Sequence, residues 1–61
     1  MKFELYEVWA EDSDGHQELV DTTSSIVEAR RIAKQALDDG VEYVIIYRES
    51  DDGDLELVEE L

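Results

Sequence analysis

The stretch Trp9–Val20, WAEDSDGHQELV, recurs without a gap at an offset of 38 residues as Tyr47–Val58, YRESDDGDLELV. Glu11/Glu49, Asp14/Asp52, Gly15/Gly53, Glu18/Glu56, Leu19/Leu57 and Val20/Val58 are identical, and Trp9 aligns with Tyr47. The middle of each copy is turn chemistry, because Asp and Ser side chains bond their own backbone and Gly accepts positive φ. Aromatic and β-branched residues precede each turn, and Glu-Leu-Val follows it, so each copy reads as a β-hairpin. The phrase is one hairpin written twice.

Between the copies lies TSSIVEARRIAKQALDDG, residues 23–40. Ser25 with Glu28 three residues on is a capping box. Ile26, Ala29, Ile32, Ala33, Ala36 and Leu37 recur at helical spacing and form one apolar stripe. Gly40 ends the helix as a residue with positive φ. Asp38 and Asp39 oppose the helix dipole at a cost of about 0.5 kcal/mol each. Arg30, Arg31 and Lys34 put three of the five bases on this helix, and Glu28 and Arg31 are spaced for an ion pair.

The 61 residues therefore form one α+β domain: hairpin 2–21, helix 25–39, hairpin 41–59. In Val41–Glu49 the run Val44, Ile45, Ile46 marks a central strand buried on both faces. Lys2–Ala10 is the other apolar strand, with either two partly buried faces or a bulge near Glu7. Leu55 and Leu57 alternate with Asp54 and Glu56, as in a charged edge strand. The expectation is a β-β-α-β-β chain whose four-stranded antiparallel sheet has the order 2-1-3-4, with the helix on one face.

One helix covers one face only. Phe3, Leu5, Tyr43, Ile45 and Tyr47 share one parity; Tyr6, Val8, Val44 and Ile46 share the other. With the first set under the helix, Tyr6, Val8, Val44 and Ile46 lie open and form the expected homodimer interface. With the parities reversed, the aromatic set is open.

Charge sets the function classes. Eighteen acids against five bases give a net charge of −13. Direct binding to nucleic acid or to anionic membranes needs the opposite sign. The chain has no cysteine and one histidine, so neither a disulfide framework nor a zinc site is expected, and no other metal or cofactor. Neither DSDG nor DDGD fits an EF-hand, because with Gly at position 6 the first ligand falls on Ala10 or Arg48. Ser13, Asp14 and His16 share one exposed turn, with no pocket and no oxyanion donors for a triad. The expectation is a non-catalytic protein. The opening MKFELYEVW does not read as a signal peptide, and no apolar run approaches a membrane span, so a cytoplasmic location is expected.

The acids gather at the turns and along the last strand: Glu11, Asp12 and Asp14 in the first copy, and Glu49, Asp51, Asp52, Asp54 and Glu56 in the second. These are the expected partner-binding residues, with Asp51, Asp52 and Asp54 at the centre. Rows of carboxylates on a small rigid protein can present a field comparable to that of duplex DNA, with one charge per about 1.7 Å of axis. In size, charge and strand–helix architecture the chain resembles the small acidic inhibitors of phages and mobile elements: anti-CRISPR proteins, uracil-DNA glycosylase inhibitors and other DNA mimics. The resemblance covers the whole chain but rests on no motif, so it carries over no functional residue. It implies a basic protein partner, a DNA-binding enzyme or CRISPR effector, whose phosphate or PAM-reading site the carboxylates occupy, in the host cytoplasm if the protein is phage-encoded. The alternative is salt adaptation, in which excess acid keeps a small dimeric interaction protein soluble.

Overall fold

A computed structural model describes residues 4–61. Its elements run β1 (Leu5–Glu11), β2 (Gln17–Thr23), α1 (Ile26–Asp38), β3 (Tyr43–Glu49) and β4 (Leu55–Glu60). The strands form one antiparallel sheet in the order β2-β1-β3-β4. Both the fold class and the strand order match the reading from sequence. Lys2 and Phe3, assigned there to the first strand, lie outside the described residues.

The helix starts and stops where its caps dictate. Ser25 is extended (φ −121°, ψ 128°) and its Oγ accepts from the Glu28 N–H at 3.4 Å. Only half of the capping box forms. The Ser25 N–H donates to Thr23 Oγ1 at 3.3 Å, and the Glu28 carboxylate turns to Arg31 instead. At the other end Gly40 (φ 104°) donates to the Leu37 carbonyl and Val41 to the Ala36 carbonyl, both at 3.1 Å. This is a Schellman motif, and it satisfies carbonyls that the helix would otherwise leave unpaired. The adverse Asp39 carboxylate accepts from Gln35 Nε2 at 3.2 Å.

The core is one layer thick. Ala29, Ala33 and Ala36 of α1 pack on Tyr6, Val8, Val44 and Ile46, with Ile26, Ile32, Leu37 and Val41 at the margins. Val8, Val44 and Ile46 are fully buried. This overturns the expected interface: Tyr6, Val8, Val44 and Ile46 lie beneath the helix, not on the open face. The physical reason is the alanine stripe. A helix lined with Ala packs on Val8, Val44, Ile46 and the one ring of Tyr6, and the bulkier set that includes Trp9, Tyr43 and Tyr47 takes the other face. The aromatic parity is therefore the open one. β1 keeps an unbroken register with β3, so two partly buried faces, not a bulge in β1, account for its imperfect alternation.

The repeat in sequence is also a repeat in conformation. In the first hairpin the register passes from Val8↔Asp21 to Trp9↔Leu19, leaving Val20 as the extra residue of a bulge. In the second it passes from Ile46↔Glu59 to Tyr47↔Leu57, leaving Val58. The extra residues are the aligned valines. Asp12 N donates to the His16 carbonyl at 3.0 Å, and Ser50 N to the Asp54 carbonyl at 2.8 Å; Gly15 and Gly53 share a φ of 85°. Because Val8 pairs with Ile46, its own counterpart in the repeat, a pseudo-twofold axis passes through that pair, perpendicular to the sheet. The single helix breaks this symmetry.

Candidate functional site

The expected binding residues do not form one surface. β1 and β3 are antiparallel, and each is followed by its turn, so the two turns lie at opposite ends of the sheet. A seven-residue strand spans about 24 Å. That is well beyond the screening length of about 8–10 Å at physiological salt, so the two tips act as independent charge clusters.

At the first tip the acids are engaged in the turn itself. Asp12 Oδ1 accepts from the N–H groups of Asp14 (2.9 Å) and His16 (3.0 Å), and Glu11 Oε1 from Gln17 Nε2 (3.3 Å). Asp12, Asp14 and His16 bring ligand-type atoms within 4.8 Å of one another, all exposed. The hydrogen bonds of Asp12 account for that proximity as turn geometry. At the second tip Ser50 replaces Asp12 and its Oγ accepts from Asp54 N at 3.2 Å. Asp51, Asp52 and Asp54 are exposed and enter no ion pair among the described residues.

Two acids of the last strand are partly neutralised. Glu56 pairs with Arg48, directly across from it, and Glu59 Oε2 receives Arg30 Nε at 2.8 Å. The hydrogen bond to Glu56 raises the Arg48 pKa above its ordinary value. On the helix, the hydrogen bond from Arg31 holds Glu28 below the usual carboxylate range, and Arg31 is raised in turn. Such exposed pairs contribute little to stability, but they fix where positive charge sits. Arg30, Arg31 and Lys34 lie on α1, and Arg48 shares the helix-side parity of Val44 and Ile46. All four described bases are thus on the helix side.

The opposite face has a different composition. By strand alternation it displays Leu5, Glu7, Trp9 and Glu11 from β1, and Tyr43, Ile45, Tyr47 and Glu49 from β3. Leu19 and Thr22 of β2 and Leu55, Leu57 and Glu60 of β4 complete it. Leu57 is 57% exposed, Tyr43 49% and Leu19 45%. Ile45 is buried at 7%, and Leu5, Trp9 and Tyr47 are half-buried. The Trp9 indole N–H donates to Glu7 Oε1 at 2.9 Å. Acidic density in the sequence pointed to the turns and missed this face. The small stripe of α1 was the signal that could have found it.

A groove of about 480 Å³ lies between α1 and β2, lined mainly by Ala10, Val20, Ile32, Ala36 and Val41, with Arg31 among its polar residues. It brings together none of the expected binding residues. Among the described residues, no helix is long and apolar enough to cross a membrane.

The chain matches no protein-family model, no curated protein and no solved structure.

Proposed function

We propose that the protein is a small, non-catalytic binding module that engages a basic surface on a partner protein. One observation carries this reading: all four described bases lie on the helix side, while the open sheet face and the β3–β4 tip carry acids without any base. Both sides are net acidic, since Glu18, Asp21, Glu28, Asp38, Asp39, Glu56 and Glu59 outnumber the bases on the helix side. The open face and the tip, however, present carboxylates with no described base beside them, and that uncompensated charge steers a cationic partner.

A second reading, mimicry of nucleic acid, is favoured by Asp51, Asp52 and Asp54, three exposed carboxylates within four residues and outside any ion pair among the described residues. Under that reading the partner is a DNA-binding enzyme or CRISPR effector, and duplex DNA competes with the protein for it. The pairing of Glu56 and Glu59 with arginines shortens the row of free carboxylates that a mimic needs.

The test is capture of a partner from the native host or its phage's host, with the bound protein identified and eluted by salt. A basic protein released between about 0.1 and 0.5 M salt, where the screening length falls from about 10 Å to about 4 Å, supports the module. Displacement of that protein by duplex DNA selects the mimic. Circular dichroism supplies the opposing outcome: a chain disordered at low salt, folding only in molar KCl and capturing nothing, is salt-adapted, and the binding reading is then wrong.

A further inference from the structure

The open sheet face has a shape as well as a charge. Register places Leu19 beside Trp9 and Tyr47 beside Leu57; across the central strands Trp9 faces Ile45 and Tyr47 faces Glu7, so the two aromatic residues are diagonal neighbours. The result is an apolar band, Leu19–Trp9–Tyr47–Leu57, that crosses all four strands. Its two halves are equivalent under the offset of the repeat, as are Glu11 and Glu49, which stand to either side of it. Three inter-strand spacings of about 4.8 Å with a two-residue step of about 7 Å along the strands make the band about 16 Å long, the length of roughly eleven helical residues.

We propose that this face is the docking site for a cationic amphipathic α-helix of a partner protein, whose apolar side lies on the band and whose Lys and Arg side chains reach the surrounding acids. The inference rests on the binding reading above and names the kind of partner segment that it requires. Three observations select this occupant. The backbone of β1 and β3 is already paired on both sides, so the face offers side chains and not a strand edge, and a helix laid on a sheet is the usual way to bury such a surface. Glu7, Glu11, Glu49 and Glu60 share the face with no described base. A second copy would therefore set carboxylates against carboxylates, whereas a basic helix pairs with them. The Trp9 N–H already has its acceptor in Glu7, so a helix can cover the ring without stranding a polar group.

Trp9 is the single tryptophan and lies in the band, so its fluorescence reports occupancy directly. The probes are three synthetic peptides: an amphipathic helix with Leu on one side and Lys and Arg at its flanks, a scrambled peptide of the same composition, and a version with Glu replacing the bases. The first should move Trp9 emission to the blue, and the other two should not. Leu57→Ser and Leu19→Ser, both at exposed positions of the band, should each weaken that binding about tenfold. Leu55→Ser is the substitute if either fails to fold. Asp51→Asn/Asp52→Asn/Asp54→Asn should alter the affinity by less than about threefold, since the tip is mostly screened from the band. An equal shift with the scrambled peptide would mean undirected charge attraction and would overturn the proposal. Sedimentation showing a dimer whose Trp9 is already shielded would make the occupant a second copy and overturn it as well. If no peptide moves Trp9 but a basic protein is still captured from the host, the docking site is wrong and the binding reading survives. If neither occurs, both fall.

Discussion

The two hairpins have the same turn, the same register and the same one-residue bulge, yet they occupy different surroundings. α1 lies over β1, β2 and β3, while among the described residues β4 is reached by the ion pair from Arg30 to Glu59. One aligned position that differs follows this division. Ala10 opposite Glu18 in the first hairpin becomes Arg48 opposite Glu56 in the second. A small side chain fits near the helix, and a charged pair occupies ground that the helix leaves bare. The identical residues are those that set backbone geometry, Gly at the turn and Glu-Leu-Val through the bulge. Of the variable ones, Ala10 and Arg48 answer to what packs above them, while Ser13/Asp51 and His16/Asp54 vary at exposed turn positions.

The comparison can be broken most forcefully at the pseudo-twofold axis. Ile46→Ala should cost about 2–5 kcal/mol, and Val8→Ala less because fewer carbons are removed. In so small a domain the first variant should be largely unfolded in urea titrations. The exposed pair Leu19→Ala and Leu57→Ala should change stability by about 0.5 kcal/mol or less. A large cost at Leu57 would mean that the open face is already covered in solution.

Gly15→Ala and Gly53→Ala test the equivalence of the turns themselves. Both positions have φ 85°, and a Cβ placed at either meets nothing within 4 Å. The cost is then that of the left-handed backbone alone, about 1–2 kcal/mol, and it should be equal at the two sites. Thermal unfolding showing one turn indifferent and the other not would refute the structural repeat.

Ser25→Ala should cost about 1 kcal/mol through loss of the one capping bond that forms. The midpoint of thermal unfolding followed by circular dichroism measures that loss. The smallest effect concerns pH. Glu28 is lowered in the folded state by its hydrogen bond from Arg31, so the pair's contribution is present above the ordinary Glu pKa and is lost as pH falls through the lower folded value. Glu28→Gln should flatten that part of an acid titration of stability and leave the neutral value nearly unchanged.

Most of the fold was legible because several signals agreed. The repeat announced two hairpins, Ser25 and Gly40 bounded the helix, and Val44–Ile46 required a central strand. The choice of face was not, since both parities of β1 and β3 are apolar and hydrophobicity alone cannot rank them. Side-chain size decides: the Ala29, Ala33 and Ala36 stripe packs on Val8, Val44, Ile46 and the single ring of Tyr6, and the set with Trp9, Tyr43 and Tyr47 takes the open face. The separation of the acidic tips followed from the antiparallel order, but acidic density along the chain drew them together on paper. The Arg30–Glu59 pair joins residues 29 apart in sequence through tertiary packing, which no local pattern encodes.

The pairing of β1 with β3 bears on how the chain reaches this structure. Each hairpin closes over a few residues and can form within about 1–10 μs. The central pair joins segments separated by a whole strand, a turn and the helix, so its loop-closure entropy must be met before any core contact repays it. The slow event should be the meeting of two preformed halves at Val8 and Ile46, with the helix closing over them. Substitutions at that seam should retard folding, while those in either turn should chiefly hasten unfolding.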